Sequence, residues 1–438
     1  MSRLARCLPL LLIACLIGCD SPTTTEDGPE PQVPPGTLAF DADNGGLVLP
    51  DGFRAVVVAE ELGRGRHLTV RDNGDIYLAL SRPNDDGHGI VALRDTTGDG
   101  RADVIASFGS MTGTGIEVHG DHLYFAPDTA VGRYPMPTGN ELVPAGAWEL
   151  IAGGLPDQRS HAAKPFTFDG DGHLYVTVGG PSNACQEEQR TPGSPGLDPC
   201  PQLERQGGIW RYEASRPGQQ QQVEGARYAT GIRHAVAMTW NPMVGSLYVV
   251  QHGRDQLDQL WPDLYTAQQN AELPSEEFMQ VSEGDDFGWP YCYNDHVQGQ
   301  KVLAPEYGGD GDEVGRCANA KTPIMAFPGH YAPNDLLFYE ARQFPARYQE
   351  GAFIAFHGSW NRAPEEQEGY NVVFVPFEGG QPSGDWEVFA DNFAGRPSIA
   401  SPRDAEHRPT GLAVGPDGSL YVSDSREGTI WRIVYTGA

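Results

Sequence analysis

The sequence predicts an all-β chain folded as a six-bladed β-propeller. Three observations carry this reading. One phrase recurs six times: an apolar alternating strand, a turn with Asp, Asn or Gly, then a second strand centred on an aromatic. Its aromatic anchors, Tyr77, Tyr124, Tyr175, Tyr248, Phe353 and Tyr421, stand 47, 51, 73, 105 and 68 residues apart. The 55 glycines and 36 prolines are scattered through the 438 residues, which leaves little room for long helices and suits short strands joined by turns.

The copies follow one another along the chain. His67–Val70 with Asp75–Leu78 is the first and Ile116–Phe125 the second. Lys164–Val178 reads Phe-Thr-Phe-Asp-Gly-Asp-Gly-His-Leu-Tyr-Val, and Ala237–Val250 repeats the pattern around Asn241-Pro242. A weaker copy lies at Gly351–Ile354, and the last, Leu412–Val422, carries Pro-Asp-Gly-Ser-Leu-Tyr-Val. A blade takes about 40 to 50 residues, so the short intervals are single blades and the long ones blades with inserted loops. An immunoglobulin-like array would space its strands more evenly and would not repeat Asp-Gly-x-Leu-Tyr-Val. Insertions are expected at about 181–206, 251–345 and 359–407, and loops of that length mark the functional face.

The N-terminus reads as an address. Arg3 and Arg6 precede an uncharged run from Leu8 to Ile17, too short to span a bilayer and suited to a secretory signal. It ends in Leu16-Ile17-Gly18-Cys19, which resembles the lipobox of bacterial lipoproteins, so Cys19 is the expected lipidation site. The division is then a lipoprotein signal peptide at 1–18, a Pro/Ser/Thr-rich tether without structure at 19–36, and the propeller at 37–438. The expected location is the bacterial cell envelope, on its periplasmic or extracellular face. Four cysteines remain for the folded part: Cys185, Cys200, Cys292 and Cys317. An even number in an oxidising compartment reads as two disulfides. The sequence-local pairing is favoured among three formal connectivities.

With 59 Asp and Glu against 30 Lys and Arg, the formal charge is -29. That excludes nucleic-acid binding and adsorption to anionic membranes through a basic patch, because either polyanion would approach against the field of the whole protein. Hydrophobic residues at 39% are enough for a large core.

Several segments go beyond a generic propeller. They are Arg64-Gly-Arg66-His-Leu, Ser160-His161-Ala-Ala-Lys164, Tyr228-Ala-Thr-Gly-Ile-Arg233-His234 and Glu283-Gly284 with Phe287-Gly-Trp-Pro-Tyr291. Further on stand His330-Tyr-Ala-Pro333, His357-Gly-Ser-Trp-Asn-Arg362, Gly369-Tyr370 and His407-Arg408-Pro-Thr-Gly411. Taken in order from about residue 48 to the C-terminus, they resemble the sorbosone dehydrogenase branch of the pyrroloquinoline quinone (PQQ) dependent sugar dehydrogenases. The resemblance implies PQQ and calcium as cofactors and a sugar or sugar-derived aldehyde as substrate. It also implies a membrane quinone or a cytochrome as electron acceptor. PQQ carries three carboxylates, so its pocket needs several cationic groups converging on one point. In so acidic a protein, basic residues at blade starts are costly to desolvate unless an anion is bound there. Arg66, Lys164, Arg233, Arg362 and Arg408 are expected at or near the starts of five inner strands, where they could ring one ligand. The resemblance adds His357 to this cofactor set, and His234 follows the blade arginine where the family commonly has asparagine.

His161 matches the family's general base, and imidazole suits the task because its unperturbed pKa lies near working pH. The glucose dehydrogenase branch orients this base with an Asp just after the next strand, where this chain has Gly179-Gly180. Either another carboxylate such as Asp157 takes that role, or the base is unassisted and activity is weak. Lys164 likewise stands where the family more often has arginine, and lacks that residue's planar fork. For calcium, Asp95, Thr97, Asp99 and Asp103 offer oxygens at alternate positions around Gly98 and Gly100, like the first half of an EF-hand loop, with a solvated Asp-Gly turn as the alternative. A second calcium position is implied only by the resemblance, through backbone carbonyls of Gln251–Asp255, Gly253 among them. Two other functions remain open on sequence alone: a calcium-dependent propeller lactonase or hydrolase, which predicts acidic residues on the axis, and a non-catalytic propeller binding carbohydrate or protein.

Overall fold

The computed structural model describes residues 38–137 and 139–437. The signal segment, the tether and Cys19 lie outside the described residues. The described chain is the predicted propeller, built of six sheets that each hold four antiparallel strands, the second extended by a short fifth strand, Gln219–Gln220, paired in parallel. The first blade is Gly65–Val70, Ile76–Leu80, Ile90–Arg94 and Val104–Phe108, and the second begins with Gly113–His119 and His122–Pro127. The third blade starts at Phe166–Phe168 and His173–Val178, the fourth at Ala235–Asn241 and Ser246–Gln251, and the fifth at Pro333–Phe338 and Ala352–Phe356. In the sixth, Pro409–Val414, Leu420–Asp424 and Ile430–Tyr435 are completed by Phe53–Ala59 from the start of the domain, with Phe53 opposite Tyr435 and Ala55 opposite Ile433. This pairing closes the ring with no free sheet edge between the chain's two ends. The first strand of each blade packs against its neighbours' first strands, so six inner strands surround the axis.

All six aromatic anchors fall in the second strand of their blades, and the structure gives three of the five tyrosines a shared task. These residues are buried between sheets, and three send their hydroxyls into the next blade. Tyr77 donates to the carbonyl of Leu142 at 2.8 Å, Tyr124 to Ala214 at 3.0 Å and Tyr248 to Gly380 at 2.6 Å. In the fifth blade the anchor is Phe353, and Tyr339 takes over the junction by donating to Gly418 at 2.6 Å. Each such contact satisfies a buried hydroxyl and contributes on the order of 1 kcal/mol beyond the burial of the ring.

The insertions differ in part from expectation. Residues 181–207 form one loop, but the stretch 251–345 is not a single excursion. It contains Glu276–Val281 and Met325–Phe327 of the fourth blade and the inner strand Pro333–Phe338 of the fifth. Likewise 359–407 holds two strands of the fifth blade, Asn371–Val375 and Glu387–Ala390, with a short hairpin of Phe377–Glu378 and Gln381–Pro382 between them. These strands lack the Asp-Gly turn and aromatic pair that made the others legible. The disulfides take the sequence-local pairing, Cys185 with Cys200 and Cys292 with Cys317, separated by 15 and 25 residues. Each contributes about 3 kcal/mol by restricting the unfolded chain. Both staple loops at the end of the axis where the inner strands begin.

Candidate functional site

His161 sits in the loop leading to the third inner strand with φ of +55°, in the left-handed region. Gln158 helps hold it there, its side-chain amide lying 2.9 Å from the carbonyls of His161 and Gly179. The imidazole Nδ1 donates to the carbonyl of Gly180 at 2.5 Å. A carbonyl can only accept, so the proton is on Nδ1 and the Nε2 lone pair is available. This backbone carbonyl, not Asp157, orients the ring. No carboxylate could take its place on this strand: a Cβ at Gly179 would lie 2.7 Å from that of His161, and one at Gly180 would lie 2.2 Å from the Trp289 ring. Burial, reinforced by Arg233, pushes the His161 pKa down to about 3, so the imidazole is neutral at working pH.

His161 does not stand alone. Its ring stacks on His234 with centroids 4.4 Å apart, and His234 in turn lies 4.8 Å from His252. Burial also holds His252 down, at about 4, and keeps His234 well below its ordinary value. The Nδ1 of His234 is buried with no hydrogen-bond partner. The sequence reading missed His252 as a member of this stack. The signal was present: Gln251 pairs with Ala235 across the hairpin, so the residues flanking that pair, His234 and His252, meet at its open end.

The basic residues expected to ring the axis divide into two groups. Arg66, Lys164 and Arg408 have no carboxylate partner among the described residues. Arg66 donates Nε to the Thr114 hydroxyl at 3.2 Å, and burial with the neighbouring Arg408 lowers its pKa to about 10, against a smaller pull from Asp128. Lys164 is fully buried, its ammonium donating to the Ala162 carbonyl, and burial pushes it down to about 8. Arg408 donates to the carbonyls of His357 at 2.9 Å and Gly358 at 2.6 Å, with its guanidinium over the Tyr370 ring. His357 shares a hydrogen bond with the Ser425 hydroxyl at 2.6 Å, and burial followed by Arg408 and Arg66 holds it well below its ordinary value.

The other two arginines hold the scaffold. Arg233 donates to the Gly253 carbonyl at 2.7 Å, to both oxygens of Asn183, and to Asp255 at 2.9 Å. Asp255 is also paired with Arg190; burial pushes its carboxyl up, but Arg233, His330 and Arg190 together bring it well below the usual range. Arg362 does not stand at an inner-strand start. It lies in the loop after the fifth blade's second strand, ion-paired with Glu272 at 2.9 Å and Glu368 at 3.0 Å and bonded to the carbonyls of Ala271, Gly329 and Glu366. Glu272 and Ala271 come from a segment some ninety residues away, which no local motif announces, while Glu366 and Glu368 belong to its own loop.

The loop around Asp95 is a hydrogen-bonded turn. Asp95 accepts from the backbone of Thr97, Gly98 and Gly100, Asp99 from that of Arg101, and Asp103 from Thr96. The Gly253 carbonyl faces the Arg233 guanidinium instead of open space. Among the described residues no group of three or more His, Cys, Asp or Glu side chains could hold a metal. The axis does carry carboxylates at its opposite end, where a channel of about 460 Å³ is lined by His67, Glu117 and Asp335. Burial and the nearby Asp335 push Glu117 up to about 8. The residues present thus fit a polyanionic group at the inner-strand starts, given one buried and two half-buried cations without an ion-pair partner among the described residues and an orphaned imidazole nitrogen. They do not fit a calcium site built from side chains.

A closed ring of six four-stranded blades with a cationic, imidazole-lined axial site defines a propeller equipped for a small anionic ligand. The chain belongs to the TrAA12-like family, whose model matches residues 47–436. It is 31% identical over 169 residues to a pyrroloquinoline quinone-dependent pyranose dehydrogenase of Coprinopsis cinerea, covering 33% of this chain and 22% of that one. The chain spans about half or less of the length of the curated relatives it matches. Its fold is that of the PQQ domain of Coprinopsis cinerea pyranose dehydrogenase in the holo form, with TM-score 0.70, 19% identity, and 91% and 98% of the two chains covered. The calcium structure of a Trichoderma reesei family AA12 protein gives TM-score 0.72 at 19% identity with the same coverage.

Proposed function

We propose that this chain is a PQQ-dependent dehydrogenase that oxidises a sugar or a sugar-derived aldehyde. One observation carries the reading: buried Lys164 and half-buried Arg66 and Arg408, none with a carboxylate partner among the described residues, stand around the same inner-strand starts as a neutral imidazole whose basic nitrogen is unengaged. Arg66, Lys164 and Arg408 would hold the three carboxylates of the cofactor, each contact being charge-assisted and sheltered from water. When bound there, the quinone supplies a two-electron hydride acceptor. His161 Nε2 takes the proton of the sugar hydroxyl as the carbon bearing it gives up hydride. The Gly180 carbonyl fixes the tautomer that leaves this nitrogen basic, and it stabilises the imidazolium that forms. The stack of His234 on His161 limits ring rotation, so the lone pair keeps its direction. Arg233 and Arg362, each held by carboxylates and carbonyls, keep the surrounding loops in place.

Calcium stays outside this mechanism, and no step is routed through it. Export with a lipid on Cys19 belongs to the same proposal and rests on the N-terminal sequence, and delivery of electrons to a membrane quinone or a cytochrome rests on the family resemblance. The test is to supply the purified protein with PQQ, with and without calcium, and to follow dye reduction across aldoses and sugar aldehydes. Reduction that disappears in Arg408→Ala is expected. No reduction with any substrate, under conditions where PQQ is bound, would overturn the reading.

A further inference from the structure

Beside the cationic site lies a second basic pocket that cofactor binding does not account for. It has a volume of about 420 Å³, shares Arg408 and His357 with the site, and is lined further by Arg64, Arg403 and Arg426, with Glu427 as its one carboxylate. Four guanidinium groups therefore face one cavity in a chain of formal charge -29. None of the four is ion-paired among the described residues. Arginines elsewhere on the surface of this protein commonly are: Arg101 pairs with Asp41, Arg133 with Glu149, Arg211 with Glu283 and Arg347 with Glu387.

The pocket is also rigidly built. The Asp424 carboxylate accepts from the backbone N–H groups of Arg408, Arg426 and Glu427, and so fixes the loop that presents two of the arginines. Arg426 donates Nη1 to the carbonyls of Arg403 and Ala405, which leaves its Nη2 and Nε without a hydrogen-bond partner among the described residues. Like charges held this close repel one another, and burial with Arg426 nearby already lowers the pKa of Arg408. An oxyanion in the cavity relieves that repulsion and is recognised by charge-assisted hydrogen bonds.

We infer that the substrate is an anionic saccharide, whose carboxylate or sulfate is bound by Arg64, Arg403 and Arg426 while its reacting carbon lies at His161. This deepens the dehydrogenase reading and rests on it. At short range the four guanidinium groups attract such a substrate against the net negative charge of the chain, and that attraction falls with salt.

The test compares glucose and galactose with their uronates and their 6-sulfates. Dye reduction by the PQQ-loaded protein and calorimetric binding of each sugar are measured at low and high salt. The expected result is a kcat/KM for a uronate or a sulfate at least tenfold above that for its neutral parent, the better of the two naming the anion. That ratio should fall about tenfold in Arg403→Ser and in Arg426→Gln, and again at high salt, while both variants bind PQQ as the wild type does. Equal use of neutral and anionic sugars, or a ratio unmoved by the substitutions, overturns the inference. So does loss of PQQ affinity in Arg426→Gln, which would assign the pocket to the cofactor. No dye reduction by any sugar, with arginine-dependent calorimetric binding of the anionic ones retained, would sink the dehydrogenase reading and uphold the pocket.

Discussion

Replacing Lys164 with methionine separates a ligand-binding cation from a structural one. Its side chain is fully buried, and its ammonium donates to the backbone carbonyl of Ala162. Burial lowers its pKa from 10.5 to about 8, while Asp128 and Asp157 raise it only weakly. A shift of that size corresponds to about 3 kcal/mol held against the folded apoprotein wherever the amine is charged. The folded pKa lies below the unfolded one, so this penalty is fully present below pH 8 and is relieved as pH rises from about 8 to 10.5. Lys164→Met removes the charge and keeps most of the volume. Denaturant unfolding of the apoprotein at pH 7 should show a gain of about 1 to 3 kcal/mol, and the wild-type rise in stability between pH 8 and 10 should shrink in the variant. PQQ affinity should meanwhile fall by at least tenfold, the loss of one charge-assisted contact. A variant less stable at pH 7 that binds PQQ unchanged would refute the reasoning, because the ammonium would then be serving the fold.

Other outcomes follow from the same geometry. His161→Asn should lower the oxidation rate by about 100-fold or more with PQQ affinity within a few-fold of wild type, since it removes the base and leaves the cationic cradle. Because burial holds the free-enzyme pKa of His161 near 3, the wild-type kcat/KM profile should show no acid limb near pH 6.5; a limb there that vanishes in His161→Asn would contradict the depressed value. Gly180→Asp, which copies the orienting carboxylate of other branches, should destabilise the protein by about 3 kcal/mol, read by denaturant unfolding, because its side chain would run into Trp289. Cys292→Ser with Cys317→Ser should cost about 3 kcal/mol in the same assay without opening the propeller ring.

What the sequence disclosed and what it hid have physical reasons. The blades were legible because alternation, Asp-Gly turns and the second-strand tyrosine are local signals, and Tyr77, Tyr124 and Tyr248 repeat for a shared task at blade junctions. The strands Met325–Phe327 and Glu387–Ala390 are short and lack such turns, so they passed for loop. Arg66, Lys164 and Arg408 stood out as basic residues at blade starts in an acidic chain. Arg362 is also an arginine but has a different role, set by Glu368 of its own loop and by Glu272, which only the folded chain brings near. The partner of His161 could not be read at all, because the Gly180 carbonyl is backbone, and every residue has one.

The central claim is that three unpaired cations at the inner-strand starts form the bed of an anionic cofactor. Equilibrium titration of the apoprotein with PQQ, followed by quinone absorbance, tests it most directly when wild type is set against Arg66→Gln, Arg408→Gln and the surface control Arg211→Gln. Saturable binding at one site per chain is expected, weakened at least tenfold by either of the first two substitutions and unchanged by the third. No saturable binding by the wild type, or binding indifferent to both Arg66 and Arg408, would contradict it.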